Sequence, residues 1–216
     1  TTEKRYIRPG GTGVWVSLST SALWQPGEPP TRHVTVIEDI SERKRAEETS
    51  LQLAYFDALT ELPNRRNFHE RLDQMVAICR RSGSQMALFY LDLDHFKTIN
   101  DTLGHGAGDM LLKTMAQRLS SCLSRETDVV ARLAGDEFAI IIPDTSRDSA
   151  AVVAEKIICA ARQPLLIGDK ELKPTLSVGI SLFPQDSTHP EELVKFADIA
   201  LYKAKEQGKN TFRFYS

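Results

Sequence analysis

Asp92, Asp94, Asp136 and Glu137 carry the chemistry this sequence can do. Asp92 and Asp94 follow a short apolar run at 86–91, and Asp136 and Glu137 stand between two more, at 129–133 and 138–142. Apolar runs of that length read as strands, so the acidic groups arrive at strand ends. If the strand ending at Asp92 lies beside the hairpin, Asp92, Asp136 and Glu137 converge, and like charges so placed repel unless a hard cation joins them. Mg²⁺ is the expected occupant, with Mn²⁺ as a substitute. Held by one or two carboxylates and completed by substrate phosphates, it serves phosphoryl transfer by neutralising charge and activating a hydroxyl. Asp also favours turns for conformational reasons alone, and that reading suits Asp136 and Glu137 taken by themselves. The apolar strand feeding each acidic group favours the metal.

These residues need a scaffold. Phe68, Leu72, Met75, Val76 and Cys79 recur at helical spacing and stop at Gly83, while Leu111, Met115 and Leu119 mark a second helix. Residues 150–161 form a third helix ended by Pro164, and residues 191–206 a fourth ended by Gly208. Further strands are expected at 175–181 and 211–215. Helices interleaved with a sheet that contains a hairpin predict an α+β fold, a mixed α/β sandwich.

The first forty residues differ in kind. Residues 14–20 and 34–37 read as two strands around a long loop that includes 25–30, too few to bury a core. From Ser41, a residue suited to helix capping, a charged helix runs to Phe56, with Ala46, Leu51, Leu53, Ala54 and Phe56 as its apolar side. It reads as a connector that pairs with its twin, or as a solvated surface helix.

Charge excludes one class of partner. Lys plus Arg number 27 against 29 Asp plus Glu, a net charge of −2, without the basic excess of nucleic-acid binders. Hydrophobic residues at 41% and charged residues at 26% are ordinary globular usage, which excludes disorder. No apolar stretch reaches the roughly 18 residues that a membrane segment needs. Cys79, Cys122 and Cys159 are odd in number and widely spaced in apolar helical patterns, so they read as buried small hydrophobes of a reducing compartment. A cytoplasmic location is expected, with any membrane tether elsewhere in a longer protein.

Arg132, Leu133, Ala134, Gly135, Asp136, Glu137 and Phe138 together resemble the signature of the bacterial GGDEF family of diguanylate cyclases. Residues 57–66, 92–100, 104–109, 177–181 and 202–210 are similar to the family's other motifs in the same order, so the resemblance covers about 55–216. Residues 11–20, 34–41 and 42–48 resemble the C-terminal end of a PAS sensor domain. The resemblance divides the chain into a partial PAS domain at 1–40, a helical linker at 41–54 and the GGDEF domain at 55–216. It implies a palm-like central sheet flanked by helices.

The implied activity is the Mg²⁺-dependent condensation of two GTP into cyclic di-GMP and two pyrophosphates by a homodimer. Asp92, Asp136, Glu137 and the backbone carbonyl of Leu93 are then the metal ligands, and Glu137, Asp136 and Lys97 the catalytic residues, with Glu137 helping to deprotonate the ribose 3′-hydroxyl. Asn100 and Asp109 read guanine, an edge that offers an Asp two N–H donors and that adenine lacks; without the resemblance both read as helix caps. Phe96 and Lys97 line the phosphate loop, Lys205 and Lys209 hold the β- and γ-phosphates, and His105, Ala134 and Gly135 border the substrate. The glycines 104, 106 and 108 fit neither the Walker nor the dinucleotide pattern and shape a turn. Arg125 and Asp128 have the family's spacing for a product-inhibition site that binds cyclic di-GMP, with Lys156 as a helix-borne third member. Ala134 stands where the family usually has Gly, and a modest effect on turnover is expected. The alternative is a GTP- or cyclic di-GMP-binding regulatory domain of a larger signalling protein, for instance one with a downstream phosphodiesterase domain.

Overall fold

Residues 1–23, 32–123 and 125–216 are described by the structure, a computed structural model. They form two units, Thr1–Ala54 and Tyr55–Ser216. The expected loop at 25–30 lies outside the described residues.

The smaller unit is a three-stranded antiparallel sheet, β1 (Thr2–Ile7), β2 (Gly13–Leu23) and β3 (Arg32–Asp39), followed by helix α1 (Ser41–Tyr55). The sequence showed two of these strands. β1 reads Thr-Glu-Lys-Arg-Tyr-Ile, is exposed throughout, and owes its conformation to backbone pairing with β2 from Thr2↔Leu18 to Ile7↔Gly13. Ser41 does not cap α1 in the expected way. Asp39 Oδ1 accepts the Ser41 N–H at 3.0 Å, while Ser41 Oγ accepts the Trp15 N–H at 3.0 Å and ties the helix start to β2.

The larger unit begins with α2 (Arg65–Ser82), opened by Asn64, whose side chain accepts the Asn67 N–H, and closed by Gly83 at φ 70°. There follow β4 (Met86–Leu93), α3 (Phe96–Leu103), α4 (His105–Cys122), β5 (Val129–Ala134), β6 (Glu137–Pro143), α5 (Arg147–Ala161), the small hairpin β7 (Leu165–Ile167) and β8 (Lys170–Leu172), β9 (Leu176–Phe183), α6 (Pro190–Glu206) and β10 (Phe212–Phe214). The sheet order is β10-β9-β4-β6-β5, with β4 central and antiparallel to both neighbours and β10 parallel to β9.

Both faces of β4 are buried, so it is almost wholly apolar rather than alternating. Ala87, Phe89, Leu91 and Leu93 pack on one side with α4 and α5, through Leu111, Met115, Leu119, Ala154 and Ile157. Met86, Leu88 and Tyr90 pack on the other with α2 and α6, through Phe68, Leu72, Leu193 and Ala197. The fold is therefore a mixed α+β sandwich with a central sheet flanked by helices, as the alternation of elements implies. α3 and the β7–β8 hairpin were not legible in the sequence. Among the described residues no helix is long and apolar enough to cross a membrane.

Candidate active site

Asp92 lies within β4, not after it, and continues the face of Leu88 and Tyr90. Its cross-strand partners are Glu137 at the first position of β6 and Ser177 on β9. The two carboxylates are thus opposed across an antiparallel pair, where like charges repel unless compensated. The compensation comes from α6: Lys205 Nζ stands 2.8 Å from Asp92 Oδ2. Burial raises the Asp92 pKa and outweighs Lys205, with the charges of Asp136 and Asp94 adding to the rise.

Gly179 brings α6 within that reach. It sits opposite Tyr90 on β9, and a Cβ there would overlap the Ala197 carbonyl oxygen and the Leu201 N–H. The helix therefore lies directly on the sheet, and Lys205, one turn beyond Leu201, projects to the strand end.

Glu137 has two partners of its own. The Tyr90 hydroxyl donates to Oε2 at 3.3 Å, and Arg65 Nη2, at the start of α2, stands 3.8 Å from the same oxygen. Burial and then the charge of Glu137 push the Tyr90 phenol up to about 12, so it remains a donor at neutral pH.

The turn between β5 and β6 is the two residues Gly135 and Asp136, with Ala134 paired to Glu137 and a bulge between Arg132 and Ala134. Gly135 takes φ 48°, a conformation that suits glycine, whereas Ala134 has an ordinary negative φ and an exposed side chain. The family's missing glycine thus falls at a strand residue where a methyl group causes no backbone strain. Arg132 holds the turn: its Nη1 donates to both carboxylate oxygens of Asp57, at 2.9 and 3.1 Å, and its Nε and Nη2 donate to the Gly135 carbonyl, at 3.0 and 2.8 Å. Asp57 also accepts from the N–H and hydroxyl of Thr60. Burial acts to raise the Asp57 pKa, but the hydrogen bonds from Thr60 and Arg132 prevail and hold it below the usual carboxylate range.

The expected convergence of Asp92, Asp136 and Glu137 is corrected. Among the described residues no group of three His, Cys, Asp or Glu side chains is gathered to hold a metal. Asp92 and Glu137 lie side by side because strand register places them so. Asp136 sits in the turn, contributing its carbonyl to the Leu93 N–H at 3.2 Å. Asp94 is buried and turned inward, its carboxylate accepting from Thr175 Oγ1, Ser177 Oγ and the Asn210 N–H at 2.8, 2.8 and 3.0 Å. It braces the sheet against the 208–210 turn.

That turn places Lys209. Lys209 and Asn210 both take positive φ, Arg162 Nε donates to Asn210 Oδ1 at 2.8 Å, and Lys209 Nζ comes within 3.5 Å of His95 Nε2. His95 itself precedes α3 at φ 61° and is a neighbour the sequence reading did not single out. Phe96 and Lys97 open α3, Lys97 exposed; His105 opens α4, also exposed.

Asn100 and Asp109 are not helix caps: the starts of α3 and α4 have no side-chain cap. Asn100 Oδ1 is buried without a hydrogen-bond partner, a costly state for an amide oxygen. Gly108 makes room for it, since a Cβ there would overlap Asn100 Oδ1 and press on Phe96. Asp109 is exposed on the next residue of α4.

Arg125 and Asp128 line a separate cavity of about 290 Å³ with Arg71 of α2. Asp128 Oδ2 accepts the Arg125 N–H at 3.1 Å, and its Oδ1 is buried without a partner. Lys156 is not brought there: its Nζ donates to the Cys122 carbonyl at 2.8 Å and lines a different cavity, between α4 and α5. Arg71 carried no signal in the sequence, being one of many charges on the polar side of α2.

The model of the family described as diguanylate cyclase, GGDEF domain, matches residues 54–211. The chain belongs to this GGDEF family. It is 37% identical over 212 residues to the cyclic di-GMP phosphodiesterase NbdA of Pseudomonas aeruginosa, covering 95% of this chain and 27% of NbdA. To the diguanylate cyclase TpbB of the same species it is 38% identical over 194 residues, covering 88% of this chain and 44% of TpbB. The solved structure of an N-terminally truncated TpbB comprising only its GGDEF domain superposes with a TM-score of 0.73 at 39% identity, over 75% of this chain and 95% of that one. DgcB of Caulobacter crescentus, solved as coiled coil and GGDEF domain with cyclic di-GMP, gives a TM-score of 0.72 at 31% identity, over 80% of this chain and 92% of that one. This GGDEF chain spans about a quarter of the length of the curated relatives it matches first, at 27%, 23% and 25%.

Proposed function

We propose that this GGDEF domain is a working diguanylate cyclase that joins two GTP into cyclic di-GMP and two pyrophosphates as a homodimer. The observation that carries the reading is the opposed pair Asp92 and Glu137 at neighbouring strand ends, with Lys205 drawn onto it.

The donor set fits Mg²⁺. Asp92, Glu137 and the Leu93 carbonyl are hard oxygen groups, Asp92 already attracts a cation in the form of Lys205, and one or two carboxylates suffice for an ion that keeps water and substrate phosphates in its shell. When bound there, Mg²⁺ neutralises triphosphate charge and makes a nearby hydroxyl more acidic. Glu137 takes the proton of the ribose 3′-hydroxyl that attacks the α-phosphate of the other GTP, with Asp136 beside it on the turn. Lys97, Lys205 and Lys209 bind the phosphates, Lys205 exchanging Asp92 for a phosphate oxygen. Asn100 and Asp109 bind the guanine. Phe96, His105, Ala134 and Gly135 border the nucleotide. In-line transfer between two bound nucleotides depends on positioning more than on covalent help, so each of two chains holds one GTP.

Arg125 and Asp128, which line one cavity, bind cyclic di-GMP as a brake. Arg71 replaces Lys156 as the third member because it lines the same cavity. Residues 1–40 are the end of a PAS domain and 41–54 a helical linker in a longer, cytoplasmically exposed signalling protein.

A second reading, a domain that binds GTP or cyclic di-GMP to regulate a linked phosphodiesterase, is favoured by one observation: NbdA, matched over 95% of this chain, is named a phosphodiesterase. The experiment that separates them is cyclic di-GMP formation from GTP and Mg²⁺ by the product-stripped chain beside Glu137→Gln. Product that disappears in the variant supports the cyclase. Binding without product supports the regulator.

A further inference from the structure

We propose that Tyr90 is the positioning residue for Glu137: its buried phenol holds Oε2 of that carboxylate and thereby sets the direction of the other oxygen. This rests on reading Glu137 as the active-site carboxylate that takes the proton.

Tyr90 lies two residues before Asp92 on the same face of β4. Its cross-strand partners are Ala139 on β6 and Gly179 on β9. Two small neighbours leave the ring space along the sheet, and its hydroxyl reaches the next residue pair diagonally, to Glu137 Oε2 at 3.3 Å. Arg65 approaches the same oxygen at 3.8 Å, so both contacts fall on Oε2.

Tyr90 is 7% exposed, and its side chain packs in the layer of Phe68, Leu88 and Leu201. Packing there would be served equally well by Phe. The hydroxyl is the difference, and a buried hydroxyl needs an acceptor, which Glu137 provides. Glu137 gains in return. Its side chain is 35% exposed at the open end of a strand, where water competes for its oxygens and its outer torsions turn freely. A carboxylate that must meet a hydroxyl or a cation works only when held close to the productive geometry, and groups that orient such carboxylates typically matter by 10- to 100-fold.

The test is Tyr90→Phe in the whole chain, alone and combined with Glu137→Gln, by steady-state kinetics with GTP and by Mn²⁺ binding without nucleotide, followed by electron paramagnetic resonance. Tyr90→Phe is expected to lower kcat about 10-fold, leave the KM for GTP within about twofold, and weaken Mn²⁺ binding several-fold, of the order seen for orienting partners. In the Glu137→Gln background the same change is expected to do nothing further to either quantity.

Wild-type turnover and Mn²⁺ affinity in Tyr90→Phe would overturn the inference, as would a loss of the same size in the Glu137→Gln background. A lowered melting temperature with unchanged kcat would assign the hydroxyl to stability alone and overturn it equally. If Glu137→Gln itself leaves both readouts at wild-type values, the reading of Glu137 fails and the inference falls with it; a strong Glu137→Gln effect beside a silent Tyr90→Phe overturns the inference alone.

Discussion

Asp57 shows how a residue outside the acidic pair governs it. Through Arg132 it grips the Gly135 carbonyl and so fixes the turn that carries Asp136 and leads into Glu137. Its pKa is held down in the folded chain, against an unfolded value of about 3.9. The sign follows: this stabilisation is fully present above the unfolded pKa and is lost as pH falls through the lower, folded one. Urea midpoints measured from pH 6 down to 3 should therefore drop less steeply in Asp57→Asn, which lacks the titrating group; identical slopes would refute this. At the turn itself, Gly135→Ala should cost about 1 kcal/mol by forcing alanine into a left-handed conformation, whereas Ala134→Gly, at a strand residue with ordinary φ, should change turnover by less than about threefold. Thermal melts and kcat measured for the pair check both.

At the scale of elements, α4 and α5 cap each other. Lys156 of α5 donates to the Cys122 carbonyl at the end of α4, and Arg118 of α4 donates to the carbonyls of Ala161, Gln163 and Pro164 where α5 ends. Each cation meets the orphan carbonyls and negative dipole of the other helix. Lys156→Met should accordingly lower stability by about 1 kcal/mol while leaving cyclic di-GMP affinity unchanged, and Arg125→Ala should do the reverse; calorimetry of both variants decides whether Lys156 belongs to the product site. The seating of α6 on Gly179 is less forgiving. Gly179→Ala should push the helix off β9 at a cost of about 1–3 kcal/mol and carry Lys205 away from Asp92, so stability and turnover should fall together.

For the whole molecule, the two hydrophobic layers of the larger unit are built from its own residues, the first being Leu59 and the last Phe214. A fragment of residues 55–216 should fold with the same cooperative melt as that unit in the full chain. If condensation requires one GTP from each of two chains, the specific activity of the full chain should fall on dilution. Circular dichroism of the fragment and a concentration series with the full chain test these two statements.

The order of helices and strands, the α+β class and the acidic strand ends were legible because periodicity and apolar runs are local properties, readable at Phe68–Leu72–Cys79 or along β4 without knowing what lies opposite. The stop at Gly83 was legible for the same reason, whereas the Asn64 cap emerged only from the structure. β1 was not, since a polar strand is made by its partner's backbone, and neither was the division of labour among the carboxylates. Asp92 and Asp94 are alike in sequence, yet strand register sets one against Glu137 and Lys205 while the chain's turn at His95 folds the other into a cage of Thr175, Ser177 and Asn210. Tyr90, Arg71 and Lys156 took their places only in three dimensions, because which groups share a face across strands, or an end across helices, is fixed by contacts between residues far apart in the chain.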